Sequence, residues 1–322
     1  LLAWLNGNVH IIKKNGFAAM TLLSIALLCL LLIFPTLSIE GACNGLRLWS
    51  QVVLPTLAPF IICTQMVVAL GGVELLILPF YPLAHALFGL SKSGTYVLLC
   101  GLLCGYPLGA KMCSDFLAHG QISRKEADFL LSICNHPSPM FLLGFVRTQL
   151  NFIVSPVLLV ICIYLPILPV SVLSRKFYRC RNSTSAPTTA ELKKTDKISI
   201  EDAIMSTCET MVIIGGYMML FSILVMWIQQ LTFLPLPVKA MLTGTAEITT
   251  GVNQLCTVLP SQKALLPVIA TVAFGGLSGI FQTRSVIKKA GLSIRHYTLW
   301  KIIHTGCSMI VFIILLLLPL HY

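Results

Sequence analysis

From Phe17 to Phe34 the chain runs 18 residues without a charge, and apolar runs of similar length recur to its C-terminal end. A helix needs about 20 such residues to cross the hydrocarbon core of a bilayer. Stretches of this kind have few folds open to them. Over the whole 322 residues 57% are apolar and only 10% charged, with a mean hydropathy of +0.89. A soluble domain carries roughly 25% charged residues. The composition excludes a disordered chain, a coiled coil and a secreted disulfide scaffold, and it predicts an all-α, polytopic transmembrane helical bundle. A signal-peptide core at 17–34 is disfavoured because no A-x-A site follows.

The net charge is +11, from 22 Lys and Arg against 11 Asp and Glu. The basic residues sit in short clusters beside apolar runs, the positive-inside pattern of a membrane protein and not the patch of a nucleic-acid binder. The twelve cysteines form no CxxC pair and mostly lie inside apolar runs. They read as small packing residues, Cys100 and Cys104 included, which argues against zinc or disulfide chemistry. No metal or other cofactor is expected.

Spans are expected at 17–34, 52–70 (broken by Pro55 and Pro59), 95–110, 151–173, 203–231, 264–281 and 299–320. The run 73–90, with Pro79, Pro82, Glu74 and His85, reads as two half-helices. So does 232–256, polar from Thr243 to Gly251. Two Gly and a Pro in Gly105-Tyr106-Pro107-Leu108-Gly109 predict an unwound stretch, and Ser123 with Glu126 forms a capping box. Residues 174–202 form a polar linker between two halves, so that four segments are defined: 1–44, 45–173, 174–202 and 203–322.

A shift of 171 residues superposes Lys92 on Lys263, Gly105 on Gly276, Gly120 on Gly291 and Arg124 on Arg295. Topology supplies a sign. The Lys13-Lys14 pair, the 174–202 linker and the basic segment 282–301 are placed in the cytoplasm. That leaves Lys111 to Arg147 outside, with a net charge of +1 against +5 for 282–301, and the C-terminus outside. Seven spans plus re-entrant pieces, arranged as two inverted repeats, are the expectation. Inverted repeats with broken helices mark secondary transporters.

Charged groups at membrane depth are costly and are default functional candidates. Glu209 and Glu247 stand out. A cavity-facing Glu209 would bind a cation, carry a proton or accept from a hydroxylated solute; an interfacial Glu paired with Lys is the alternative. Glu247, flanked by Thr245 and Thr249, would bring a carboxylate, hydroxyls and free backbone groups to one point. The break at Tyr106, followed by Lys111, suits an anionic or carbonyl group, or serves as a tight packing turn. Asn135 and His136 end a helix, His136 reading as a neutral cap. Gln282 and Arg284 follow the second glycine break, where Arg284 snorkels to the interface. No GxSxG, HExxH or P-loop occurs, and Ser278 in Leu277-Ser278-Gly279 lacks a His partner, so no enzymatic activity is expected.

At Cys104-Gly105-Tyr106-Pro107-Leu108-Gly109-Ala110-Lys111, Gly120-Gln121-Ile122-Ser123 with Glu126-Ala127, Asn135-His136-Pro137-Ser138-Pro139, Glu247-Ile248-Thr249-Thr250-Gly251 and Phe274-Gly275-Gly276-Leu277-Ser278, the chain resembles the YlbJ family of sporulation integral membrane proteins. The similarity runs from about residue 45 onward. It implies a nucleoside-recognition or gate-type domain, as in concentrative nucleoside carriers and the membrane part of ferrous-iron transporters. It also implies a multi-pass protein of a bacterial inner membrane, acting in endospore formation at the cortex stage. No set of substrate residues comes with it. The partners expected are the lipid bilayer, an unidentified small solute, Na+ or H+ as coupling ion, and a second copy of the chain. A non-transporting scaffold or receptor in spore assembly is the alternative.

Overall fold

The computed structural model describes residues 21–22, 24–180 and 200–317. The Lys13-Lys14 pair, most of the 174–202 linker and residues 318–322 lie outside the described residues. No strand occurs among those described, and the helices follow one another as α1 (Ser24–Ile33), α2 (Pro35–Leu48), α3 (Leu54–Ala69), α4 (Val73–Ile77), α5 (Tyr81–Phe88), α6 (Lys92–Cys104), α7 (Leu108–Ala118), α8 (Arg124–Ile133), α9 (Arg147–Gln149), α10 (Pro156–Tyr164), α11 (Ile167–Tyr178), α12 (Ile200–Gln229), α13 (Leu236–Ala246), α14 (Ile248–Val258), α15 (Ser261–Phe274), α16 (Gly276–Ile287) and α17 (Ile294–Leu317). Among the described residues four stretches are long and apolar enough to cross a membrane: Pro156–Tyr178, Ile200–Gln229, Ser261–Ile287 and Ile294–Leu317. Two bent pairs raise the number to six: Ser24–Ile33 with Pro35–Val53, at 108°, and Tyr81–Phe88 with Lys92–Cys104, at 97°.

Proline shapes these elements by position. Pro55 does not end the second apolar run: helix continues from α2 through a π-helical turn, Trp49–Val53, into α3, and Pro55 follows that widened turn directly. Pro59 lies inside α3 and is tolerated there. Pro35 opens α2 at the bend. At α8 the expected capping box is half formed. The Ser123 hydroxyl accepts from the Glu126 N–H at 3.2 Å, while the Glu126 carboxylate accepts from the Ser91 N–H at 2.8 Å. Glu126 thereby ties the start of α6 to the start of α8.

Contacts of this kind identify the two ends of the bundle. At one end the Arg124 guanidinium donates to the Ala290 and Gly291 carbonyls, at 3.2 and 2.8 Å. There too the Cys180 thiol donates to the Lys125 carbonyl at 3.2 Å. This basic end therefore joins the starts of α6, α8 and α17 to the finish of α11. At the opposite end Asn253 donates to Gln149 at 2.9 Å, and Lys239 to the Gln229 carbonyl at 2.9 Å.

Two features of the expected topology are corrected by these contacts. Bonds of about 3 Å cannot bridge a bilayer about 30 Å thick, so the turn at 119–124 lies on the same side as Cys180 and Gly291, not across from them. The cause is α6. Its 13 residues extend only about 20 Å, and at Gly105 the chain turns back through α7 instead of crossing. The 171-residue shift, moreover, pairs α7 and α8 with α16 and α17, which point the same way, since both turns meet at Arg124. Those copies are not inverted relative to each other.

Two helical hairpins remain, and they run in opposite directions. The α6/α7 hairpin starts and finishes at the basic end, and Gly101 and Gly109 face each other across the Cys134 carbonyl, which an added Cβ on either would overlap. The α13/α14 hairpin starts and finishes at the opposite end and is closed where Gly251 packs on the Gly244 backbone, while Gly244 faces Thr271. The α15/α16 helix passes between the two tips, interrupted at Gly275.

Candidate functional site

The tips of the two hairpins meet in the middle of the bundle. At the first, Gly105 adopts φ +85°, a conformation open to glycine and strained for residues with a Cβ. This turn directs the Tyr106 ring onto Gly275 and Gly279, where the nearest approaches to an added Cβ would be 3.4 and 3.9 Å. The Tyr106 hydroxyl is buried with no hydrogen-bond partner among the described residues. At the second tip Glu247 is extended, and its carboxylate accepts from the N–H groups of Thr249 and Thr250 at 3.0 and 2.7 Å. A carboxylate on the first amides of α14 satisfies orphan donors and faces the positive end of the helix dipole.

Between the tips is a cavity of about 110 Å³, lined among others by Tyr106, Glu247, Thr249, Ser278 and Gln282. The Gln282 amide donates to the Ser278 hydroxyl at 3.0 Å. Glu247 and Thr249 are 3% and 9% exposed. Four of the eight residues singled out in the sequence therefore share one chamber, although they come from three separate segments.

Asn135 stands behind its wall. Its amide donates to the Thr283 hydroxyl at 3.0 Å and the Tyr297 hydroxyl at 2.9 Å, and its side-chain oxygen accepts from the Ala110 N–H at 3.4 Å. One side chain thus fastens α7, α8, α16 and α17 at the level of the breaks. The remaining three lie elsewhere. Thr245 is exposed and donates to the Met241 carbonyl of its own helix at 3.0 Å. Lys111, ion-paired to Asp115 at 2.9 Å, and Glu209, 3.8 Å from Lys289, line a separate vestibule of about 420 Å³ toward the basic end. The Glu209 side chain is 66% exposed, the geometry of an interfacial acid paired with a lysine.

Lys301 is the functional candidate that sequence reasoning missed. Counted with the cytoplasmic segment 282–301, it instead lies seven residues into α17, about 10 Å along the helix, and is 2% exposed. Its ammonium donates to the Asn135 carbonyl at 3.3 Å and sits 5.5 Å from the Tyr106 ring centre. Among the described residues no carboxylate lies within ion-pair distance of it. A lysine at bilayer depth costs about 2.5–3.5 kcal/mol on insertion scales. Beside it the rings of His136 and His304 lie 4.2 Å apart. His304 Nε2 donates to the Ile163 carbonyl at 2.9 Å, while neither ring nitrogen of His136 has a partner among the described residues. The available signal was spacing: Lys301 and His304 lie one turn apart well inside an apolar helix.

Several long apolar helices and broken helix pairs, with a mainly apolar chamber that carries Tyr106, Glu247, Thr249 and Gln282, fit a multi-pass integral membrane protein. The chain is 27% identical to the sporulation integral membrane protein YlbJ of Bacillus subtilis (strain 168), over 89% of its own length and 79% of that relative's. This similarity agrees with the resemblance to the YlbJ family that the motifs at both tips carry. No family model and no solved structure matches it.

Proposed function

We propose that the chain is a solute carrier of the bacterial inner membrane that acts in endospore formation, and that its solute occupies the chamber between Tyr106 and Glu247. The observation that carries this reading is the pair of hairpins from opposite ends whose tips meet at one cavity, apolar in most of its lining, into which Tyr106, Glu247, Thr249 and Gln282 bring the polar groups. They support an inverted arrangement different from the 171-residue one. One unit is α6/α7, the broken crossing from α8 to α9, and α10/α11; the other is α13/α14, α15/α16 and α17. Each unit presents a hairpin, a broken crossing and a closing helix, with directions reversed. The relative's role in sporulation supports the cellular setting.

In this reading the crossings are the run 17–34, α2 with α3, α8 to α9, α10/α11, α12, α15/α16 and α17, while α6/α7 and α13/α14 re-enter. The basic end, with Arg124, Lys125, Lys288, Lys289 and Arg295, faces the cytoplasm. Tyr106 and Gln282 supply donors to the solute, and Glu247, capping the start of α14, fixes the second tip as the rigid wall of the chamber. Na+ or H+ couples transport as one unit rocks against the other. Catalysis has no part in it.

The test is thermal stabilisation of the purified protein by nucleosides, cell-wall precursors, dipicolinate and metal ions, paired with spore resistance. A carrier shows a stabilising solute whose effect disappears in Tyr106→Phe, and Glu247→Gln inserts normally while spores lose resistance. If no solute stabilises the protein and both variants sporulate like wild type, the scaffold or receptor reading replaces this one.

A further inference from the structure

The vestibule and the inner chamber share three helices, and the residues that line them lie on the same stripes. On α12 the stripe Ser206, Thr210, Ile214, Met218 advances four residues at a time, one face of a helix. Ser206 and Thr210 line the vestibule and Met218 lines the chamber. On α3 the stripe is Leu57, Ile61, Gln65, with Leu57 in the chamber and Gln65 in the vestibule. On α7, Lys111, Met112 and Asp115 line the vestibule, while Tyr106 just before the helix lines the chamber. Leu108 continues the vestibule stripe inward. On α16 the same face has no gap: Ser278 and Gln282 line the chamber, Ser285 and Lys289 the vestibule.

Each interrupted stripe lacks one residue, and all three are apolar. Ile61, Leu108 and Ile214 are each 1% exposed and belong to one contiguous cluster. A polar wall along α16 faces an apolar plug one residue thick on each of three other helices. Hydrophobic constrictions of this kind close a water path by dewetting, without a polar latch.

We infer that the vestibule and the chamber are two stations on one route opening at the basic end, and that Ile61, Leu108 and Ile214 form the constriction between them. The inference rests on the carrier reading for its purpose but not for its geometry. Polar solute would wait in the vestibule, among the Lys111–Asp115 and Lys289–Glu209 pairs, and pass when α3 and α12 move away from α7. The constriction then decides which solutes reach Tyr106.

Two native cysteines report on this without any solute. Cys104 lines the chamber, and Cys180 lies at the basic end. The full chain, with its other exposed and half-exposed cysteines changed to serine and Ser206→Cys added, is treated in membranes with a small charged methanethiosulfonate from either side. Labelling is read by mass spectrometry. Ser206→Cys is expected to react from the Cys180 side, and Cys104 at least tenfold more slowly from that same side. Ile61→Ala, Leu108→Ala and Ile214→Ala, made singly, each raise Cys104 labelling at least tenfold while Cys180 labelling stays unchanged, which also certifies insertion. The inference is overturned if Cys104 labels from the opposite side, if it labels as fast as Ser206→Cys in the parent, or if correctly inserted trimmed variants leave its rate unchanged. Should none of the three insert, the side and rate in the parent still decide. A confirmed route with no stabilising solute would sink the carrier reading and leave this one standing.

Discussion

The two hairpins are built alike along their arms and differently at their tips. Both need glycine where backbones come close: Gly101 and Gly109 around the Cys134 carbonyl, and Gly251 on the Gly244 backbone. The second tip satisfies itself, because the Glu247 carboxylate takes up two amides of its own chain. The first tip does not. Its Tyr106 hydroxyl is buried without a partner among the described residues, and Lys301 lies under the ring. A buried polar group without a partner costs stability, so the first tip is the one held in a state that a ligand would improve. The difference separates a rigid half of the site from a receptive half.

The comparison breaks most sharply at the arms. Gly109→Val and Gly251→Val each push a side chain into neighbouring backbone, with an expected cost of about 3 kcal/mol or more. Both should abolish the folded peak in size-exclusion chromatography. A stable Gly251→Val protein would show that the second hairpin is not closed as described. At the tips, Glu247→Ala removes both capping bonds and should destabilise by about 2 kcal/mol in denaturant melts. Tyr106→Phe should stay within about 0.5 kcal/mol of wild type, because the hydroxyl it removes makes no bond. Equal losses at the two tips would erase the distinction between them.

Behind the first tip, Lys301→Met removes a buried cation that has no carboxylate. It should leave stability unchanged or raise it by about 1–2 kcal/mol while abolishing spore resistance. A marked fall in melting temperature would mean that the charge has a partner outside the described residues. The smallest effect belongs to the vestibule. The Glu209–Lys289 pair is exposed on both sides, and Glu209→Gln should change stability by less than about 0.5 kcal/mol.

What was legible in the sequence followed local chemistry. Gly105 and Pro107 announced the first break, Ser123 the start of α8, and the polar run 243–251 the second tip, because glycine, proline and capping residues act within a turn or two of themselves. Direction was harder. The 95–110 run is apolar enough for a span, and only the length of α6 and the return through α7 reveal a re-entrant arm. Lys301 was hidden by charge counting, which treats every lysine near a basic loop as part of it and ignores the 10 Å or so that two helical turns add. Glu126 illustrates the same limit. Its N–H serves the local cap, but its carboxylate reaches Ser91, 35 residues away, and no spacing rule predicts that partner.

The central claim is that the hairpins approach the chamber from opposite sides of the membrane. His119 is exposed at the finish of α7, and Thr257 is exposed near the finish of α14. With His119→Cys and Thr257→Cys placed separately in a chain that retains Cys180, an impermeant thiol reagent reads the side of each. Burial pushes the Cys180 thiol up, with Arg175 opposing. Less of it is thiolate at neutral pH, its labelling should speed up as pH rises, and the comparison is best made under mildly alkaline conditions. His119→Cys should label only from the side that labels Cys180, and Thr257→Cys only from the other. Labelling of both from one side would contradict the opposed hairpins and the site built on them.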